Sequence, residues 1–204
     1  MDKFALRMFK KIQLENHAMD KKARKQLPYA LYMAAMAIWC ALIVAAPLLG
    51  MAKSPLAKPL YGAFAPTCHQ LNSRSLCVFP SGSSVIGDCT ESAELSYSKT
   101  SEVAVAGGTG YKLPVCARDL GIYFAMLIGG IALPFFWKIE SENIPNKWLL
   151  VVALIPIAID GGTQIIGMRE STNSLRLWTG AIAGFALPFY IVPMANWAAR
   201  KIGF

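Results

Sequence analysis

The stretch that decides the fold is KWLLVVALIPIAIDGGTQIIG, residues 147–167. A helix needs roughly 20 residues to cross a hydrocarbon core of about 30 Å, and this stretch is long enough. Three more stretches share its length and apolar character, at residues 27–52, 119–137 and 175–198. With 55% hydrophobic residues and a mean hydropathy of +0.42, the composition indicates a membrane protein.

The apolar stretches are predicted to be helices, because lipid leaves no partner for unpaired backbone groups and no alternating barrel strands appear. The sequence therefore predicts an all-α membrane protein with four transmembrane helices and a long extracytoplasmic loop between the first and second. Residues 1–26 are predicted to form a cytoplasmic basic amphipathic segment, and residues 27–204 the four-span membrane domain, with 53–115 as its loop.

Basic residues flank the spans rather than covering a soluble domain, so nucleic acid is not a predicted partner. Eight Lys and Arg residues precede the first span against three Asp and Glu. The positive-inside rule then predicts a multi-pass protein of the cell membrane with both termini cytoplasmic. Val44-Ala45-Ala46 could mimic a signal-peptide cleavage site, but the long basic leader and long apolar run favour a retained anchor.

Cysteine, histidine and aspartate residues lie in the first part of the long loop and directly after its last residue. Cys68 and His69 lie in its first part, and Cys116 and Asp119 lie three residues apart where the second span begins. Thiolate, imidazole and carboxylate are all ligands of zinc or another divalent metal, so these four predict a metal site. The alternative is a buried or disulfide-bonded Cys68 and a hydrogen-bonding His69.

Cys77 and Cys89 lie within the loop, where an extracytoplasmic location would allow a disulfide to persist. We predict that they pair. In the alternatives, both are free or one of them pairs with Cys68.

Asp160 lies inside an apolar span, where a carboxylate is costly and is commonly functional. Gln164 lies one helical turn further on and shares its face. Asp160 and His69 are the candidate acid or base for catalysis. The alternative for Asp160 is a hydrogen bond to a Trp, Ser or Arg of another helix.

The connection of residues 167–176 is rich in donors and, together with Arg118 at the start of the second span, predicts a phosphate pocket. Ser171, Thr172 or Asn173 can cap the following helix, whose positive end would attract an anion. Arginine forks match phosphate oxygens. The candidate ligand-binding residues are Arg118, Gln164, Arg169, Glu170, Asn173 and Arg176. Alternatively, the arginines contact lipid headgroups nonspecifically or pair with Glu170 and Asp119.

Several short motifs occur together between residues 66 and 188, and they begin with Cys68-His69-Gln70 and Arg74-Ser75. The others are Leu113-Pro114-Val115-Cys116-Ala117-Arg118, Gly121-Ile122-Tyr123, Asp160-Gly161, Arg169-Glu170-Ser171-Thr172-Asn173, Leu175-Arg176 and Thr179-Gly180. In these motifs the chain resembles a family of small prokaryotic membrane proteins catalogued as domain of unknown function 2085. Members of that family commonly carry a cysteine where this chain has Asp119, and residues 77–110 resemble an insertion. The resemblance implies a shared signature without an activity.

Three functions follow as hypotheses. In the first, the polar pocket binds or acts on the phosphorylated headgroup of a membrane lipid, with a metal able to activate water. In the second, Asp160 carries a proton or ion in a small transporter, which requires a homo-oligomer. In the third, the protein is a structural subunit of a larger membrane complex. No GxSxG, HExxH or Walker motif is present, which disfavours those enzyme classes.

Overall fold

The computed structural model describes residues 3–68, 71–80, 85–89, 102–105 and 108–202, and the side chains of residues 23–68, 71–80, 85–89 and 109–202. The helices are α1 (Lys3–Met51), α2 (Ala57–Phe64), α3 (Ala117–Phe136), α4 (Lys147–Ile165), α5 (Asn173–Ala186) and α6 (Pro188–Lys201). The strands are β1 (Ser75–Val78), β2 (Ile86–Asp88), β3 (Glu102–Val105) and β4 (Gly108–Cys116).

The predicted four-span helical fold is confirmed within the described residues. The candidate membrane spans are Ala23–Met51, Ala117–Phe136, Lys147–Ile165 and Asn173–Lys201. The first of these is part of α1, which is one continuous helix from Lys3 and so includes most of the predicted basic segment. The fourth is divided at Leu187 into α5 and α6, because the next residue, Pro188, has no N–H to donate to the preceding turn.

A small antiparallel sheet lies in the connection between α1 and α3, and the sequence analysis did not predict it. Its strand order is β2-β1-β4-β3. Cys77 on β1 pairs with Gly87 on β2 and with Lys112 on β4, so β1 has a neighbour on each side. A disulfide joins Cys77 to Cys89, one residue after β2, with the two Cα atoms 5.0 Å apart.

Strand β4 carries the chain directly into α3 and fixes where that helix begins. Leu113 and Val115 on β4 are buried against Ile43 of α1 and Phe64 of α2. This apolar cluster attaches the sheet to the end of the bundle at which α3 and α5 begin and α4 ends, which we call the motif end. Cys116, the last residue of β4, is the N-cap residue of α3.

Among the described residues, helices α3 and α5 form the most extensive contact between two helices. A Cβ atom added at Gly180 would lie 2.3 Å from the carbonyl oxygen of Arg118, and one added at Gly184 would lie 2.3 Å from that of Ile122. The glycines therefore let the two backbones touch, as small residues commonly do between membrane helices. The close approach brings α5 against the first turn of α3.

Candidate functional site

The polar clusters of the sequence meet at the motif end. Arg118 comes from the first turn of α3, Asp160 from the last turns of α4, and Arg169 from the connection between α4 and α5. Gly167, with φ of +72°, ends α4 in a left-handed conformation that glycine adopts without strain. Thr172 caps α5 by accepting a hydrogen bond from the backbone N–H of Leu175 at 3.3 Å.

Asp160 is the centre of the ion pairs at this end. Its Oδ2 accepts from Nη2 of Arg118 at 2.5 Å, and its Oδ1 accepts from Nη2 of Arg169 at 3.1 Å. As a whole residue, Asp160 is only 1% exposed. The contacts match the predicted alternative, a bond between Asp160 and an arginine of another helix. Its catalytic role stays a prediction.

Neighbours of Asp160 on α4 extend this network. Gln164 accepts from Nη2 of Arg118 at 3.4 Å, so it does share the face of Asp160. Thr163 accepts from Nε of Arg169 at 3.2 Å. Arg118 and Arg169 are therefore both held on α4 by more than one oxygen.

Three candidate metal ligands come together beside Arg118. The ligand atoms of Cys68, Cys116 and Asp119 all lie within 4.8 Å of one another. The backbone N–H of Cys116 donates to Sγ of Cys68 at 3.2 Å, and the Cys116 thiol donates to Oδ2 of Asp119 at 3.1 Å. Hydrogen bonding to Cys68 and burial raise the pKa of the Cys116 thiol. The fourth predicted ligand, His69, lies outside the described residues, as does Gln70.

Lys112 is a site residue that the sequence analysis missed. It is 0% exposed, its Nζ donates to Oδ1 of Asn72 at 3.0 Å, and its carbonyl accepts from the hydroxyl of Tyr61. Burial lowers the pKa of Lys112 to about 8, and the nearby Cys68 opposes that shift. Lys112 and Cys116 are four residues apart on β4, but the register of β4 on β1 shifts between them, so this spacing does not place both side chains on one face. No local pattern in the sequence marks Lys112 as a site residue.

Asn173 bonds the sheet, and Arg176 bonds the segment just before β1. Nη1 of Arg176 donates to Oδ1 of Asn173 at 3.0 Å and to the carbonyl of Ser73 at 3.4 Å. Nδ2 of Asn173 donates to Oδ1 of Asp88 at 2.8 Å. These hydrogen bonds attach the sheet and the segment before it to α5. Both predicted ligand-binding residues therefore also have a structural role.

Several polar atoms at the motif end have no hydrogen-bond partner in the described part of the chain. They are Nε of Arg118, Nε of Arg176 and Nε2 of Gln164, and all three are buried. Arg176 lies within electrostatic range of Arg74, Arg118, Asp160 and Cys116. Glu170, by contrast, is exposed and forms no ion pair with the described residues. The alternative in which it pairs with an arginine is therefore not found in the described part of the chain.

The four apolar helices define a multi-pass membrane protein with a polar network at one end of its bundle. A family model described as predicted membrane protein (DUF2085) matches residues 108–190. The chain belongs to this family. The matched part contains Cys116, Arg118, Asp160 and Arg176, whereas Cys68 precedes it.

Two archaeal relatives accompany the family match. The uncharacterised protein MJ1492 of Methanocaldococcus jannaschii is 42% identical over 135 residues, which cover 66% of this chain and 67% of that protein. An uncharacterised protein of Methanothermobacter thermautotrophicus is 38% identical over 84 residues, which cover 38% of this chain and 68% of that protein. No solved structure matches the chain significantly.

Proposed function

We propose that the protein binds the phosphorylated headgroup of a membrane lipid at the motif end, beside a divalent metal ion held by Cys68, Cys116 and Asp119. The observation that carries this proposal is the pair of buried guanidinium Nε atoms, of Arg118 and Arg176, without a partner in the described chain. A buried donor left unpaired costs about 1–3 kcal/mol, and an anionic ligand would remove that cost.

The charge balance supports an anion at this place. Four arginines, which we call the arginine cluster, lie near one another: Arg74, Arg118, Arg169 and Arg176. Asp160 is the carboxylate that two of them share. A phosphate group supplies the missing negative charge and several acceptor oxygens, which match the planar donors of arginine. The capped N-terminus of α5 adds a positive dipole end.

The metal ion is supported by the chemistry and spacing of its ligands. With Zn–S bonds of about 2.3 Å and Zn–O bonds of about 2.0–2.2 Å, tetrahedral ligand atoms lie roughly 3.4–3.8 Å apart. Atoms already within 4.8 Å of one another need only a small rearrangement to reach those distances. Three protein ligands leave a fourth position for His69, a water molecule or a phosphate oxygen. In the last two cases the ion could activate water or polarise the phosphate.

The distribution of basic residues and the disulfide support a site outside the cytoplasm. Lys138, Arg200 and Lys201 lie at the end of the bundle opposite the motif end, and positive charge favours the cytoplasmic side. The Cys77–Cys89 disulfide belongs to the sheet at the motif end, and disulfides persist in oxidising compartments. Both termini would then be cytoplasmic, in the cell membrane.

Transport through Asp160 receives less support than headgroup binding. Both carboxylate oxygens already accept hydrogen bonds from arginines, which favours a positioning role for Asp160 over exchange of a proton or ion. Membership of a homo-oligomer or a larger membrane complex stays a prediction.

The metal is tested by replacing a ligand. Purified protein is expected to contain stoichiometric zinc by elemental analysis, and Cys116→Ser should weaken zinc binding by at least about 100-fold, since even outer-sphere changes cost about 10–100-fold. Cys40→Ser is the matched control, because Cys40 is also a free cysteine but is buried within the first span. Equal losses in both variants, or no metal in the unaltered protein, would contradict the metal site.

The anion is tested by removing one positive charge that holds little structure. Arg74 is half-buried and forms no side-chain hydrogen bond in the described chain. Arg74→Gln should weaken binding of phosphatidic acid in phosphatidylcholine nanodiscs by about 10–100-fold, the value of one charge-assisted hydrogen bond. Native mass spectrometry counts the bound lipid.

The control for Arg74 is Arg200→Gln, at the opposite end of the bundle, where Arg200 is 68% exposed and pairs with Glu142. Unchanged phosphatidic acid binding in Arg74→Gln, or an equal loss in Arg200→Gln, would contradict a specific headgroup site. Competition by inorganic phosphate separates a site for the phosphate group alone from one that needs the whole lipid.

A further inference from the structure

An apolar groove of about 550 Å³ runs along the bundle between α1, α3 and α5 and under the sheet. Every residue that lines it is nonpolar. Helix α3 contributes residues from Leu120 to Ile128, a distance of about 12 Å at 1.5 Å per residue. Trp178 and Ala181 line the groove from α5, and Val44 from α1.

The groove and the arginine cluster both begin at the first turns of α3 and α5. Leu120 lies two residues after Arg118 on α3, and Leu177 directly follows Arg176 on α5, although no arginine lines the groove itself. The cationic cluster and the apolar groove therefore adjoin along both helices. A phospholipid has the same order of properties, an anionic headgroup followed by a hydrocarbon chain.

Exposed apolar side chains lie where the groove meets the sheet. Val85 is 71% exposed and Ile86 is 56% exposed, and both lie at strand β2. Exposed apolar patches mark contact with a membrane or partner. Trp178, 68% exposed, lies near them, and tryptophan is enriched at the level of lipid headgroups.

We infer that this groove holds one hydrocarbon chain of the lipid whose phosphate the arginine cluster binds. The inference rests on the proposed function, because it takes the headgroup site as the anchor of the same molecule. It adds that the ligand is a lipid drawn from the bilayer rather than a soluble phosphate. The arginines select the anionic headgroup, and the groove adds van der Waals packing for a hydrocarbon chain that would otherwise lie among other lipid chains.

The experiment uses a phosphatidic acid that carries a photoreactive diazirine in one hydrocarbon chain, in phosphatidylcholine nanodiscs containing the full chain. Illumination should attach the lipid to peptides covering residues 120–128 and 177–181. Ala181→Phe fills the groove and should lower that yield about tenfold, because overpacking the groove excludes the hydrocarbon chain. Ile182→Phe is the matched control, because Ile182 is the next residue on α5 and does not line the groove.

A second variant, Val44→Trp, fills the groove from α1 at a position that is 44% exposed and therefore tolerant. It should lower the yield as Ala181→Phe does, and it keeps the test valid if that variant fails to fold. Equal labelling of the lipid-facing surface of α4, or an unchanged yield in both variants, would contradict the inference that the groove holds a lipid chain.

Different results would contradict the headgroup site and the groove. If Ala181→Phe leaves labelling unchanged while Arg74→Gln still weakens phosphatidic acid binding as expected, the inference about the groove is wrong and the headgroup site stands. If labelling at the groove persists in Arg74→Gln and does not depend on the headgroup, the proposed headgroup site is wrong, and with it the inference that one lipid occupies both.

Discussion

Asp160→Asn should lower the free energy of unfolding by about 3 kcal/mol, at the lower end of the range for breaking a buried ion pair. The Asp160 side chain is 2% exposed, and its loss of charge leaves Arg118, 23% exposed, without a counter-ion. The second partner, Arg169, is 42% exposed and regains water, which keeps the effect from being larger. Chemical unfolding in mixed detergent micelles measures it.

Glu170→Gln is the control for Asp160→Asn. Glu170 lies in the same region but is exposed and forms no described ion pair, so its variant should change stability by less than about 0.5 kcal/mol. The double variant Asp160→Asn with Arg118→Gln should recover part of the lost stability, because the uncompensated buried charge is removed. If the Asp160→Asn protein is as stable as the unaltered protein, the Asp160 carboxyl does not form charged ion pairs with the arginines. That result would favour the hypothesis that Asp160 carries a proton.

Gly180→Ala should lower the free energy of unfolding by about 2–3 kcal/mol and reduce both metal and lipid binding. The added Cβ would lie 2.3 Å from the carbonyl oxygen of Arg118, so α5 must move away from the first turn of α3. That turn contains Arg118 and Asp119 and directly follows Cys116. A shift of α5 against it would therefore disturb both the candidate metal ligands and the ion pair of Arg118.

Gly162→Ala provides the matched control for Gly180→Ala. Gly162 also lies within a helix, but a Cβ atom there meets nothing within 4 Å. Alanine should then stabilise the helix by about 0.5–1 kcal/mol, because glycine loses more backbone freedom on folding. If the two variants behave alike, the contact between α3 and α5 does not depend on the absence of a Cβ atom. Thermal unfolding and zinc content, measured on the same samples, check both expectations.

Much of the site could be predicted from the sequence because its residues lie at the ends of apolar spans. Asp160 and Gln164 were paired correctly from helical spacing, and both contact Arg118. Cys116 and Asp119 were likewise placed on one turn, and their side chains do form a hydrogen bond. Lys112 was missed because nothing local shows that a lysine in a loop becomes fully buried.

Except for Glu170, the residues predicted for the phosphate pocket lie near one another, but their contacts were only partly foreseen, and the pocket itself stays a prediction. Asn173 and Arg176 reach Asp88 and Ser73 of the extramembrane part, and those contacts depend on a sheet that was not foreseen. Strands of three and four residues carry too few positions for an alternating pattern to be recognised.

The sequence by itself determined the number of spans, the helical fold and the family signature. These properties are local, because hydrophobic thickness is a property of each stretch of about 20 residues. Only the tertiary structure decided that Arg118 and Arg169 share Asp160, that Cys68 meets Cys116 and Asp119, and that an apolar groove adjoins the arginine cluster. Each of these contacts joins residues far apart in the chain, and they meet because glycines let α3 and α5 touch and β4 runs directly into α3.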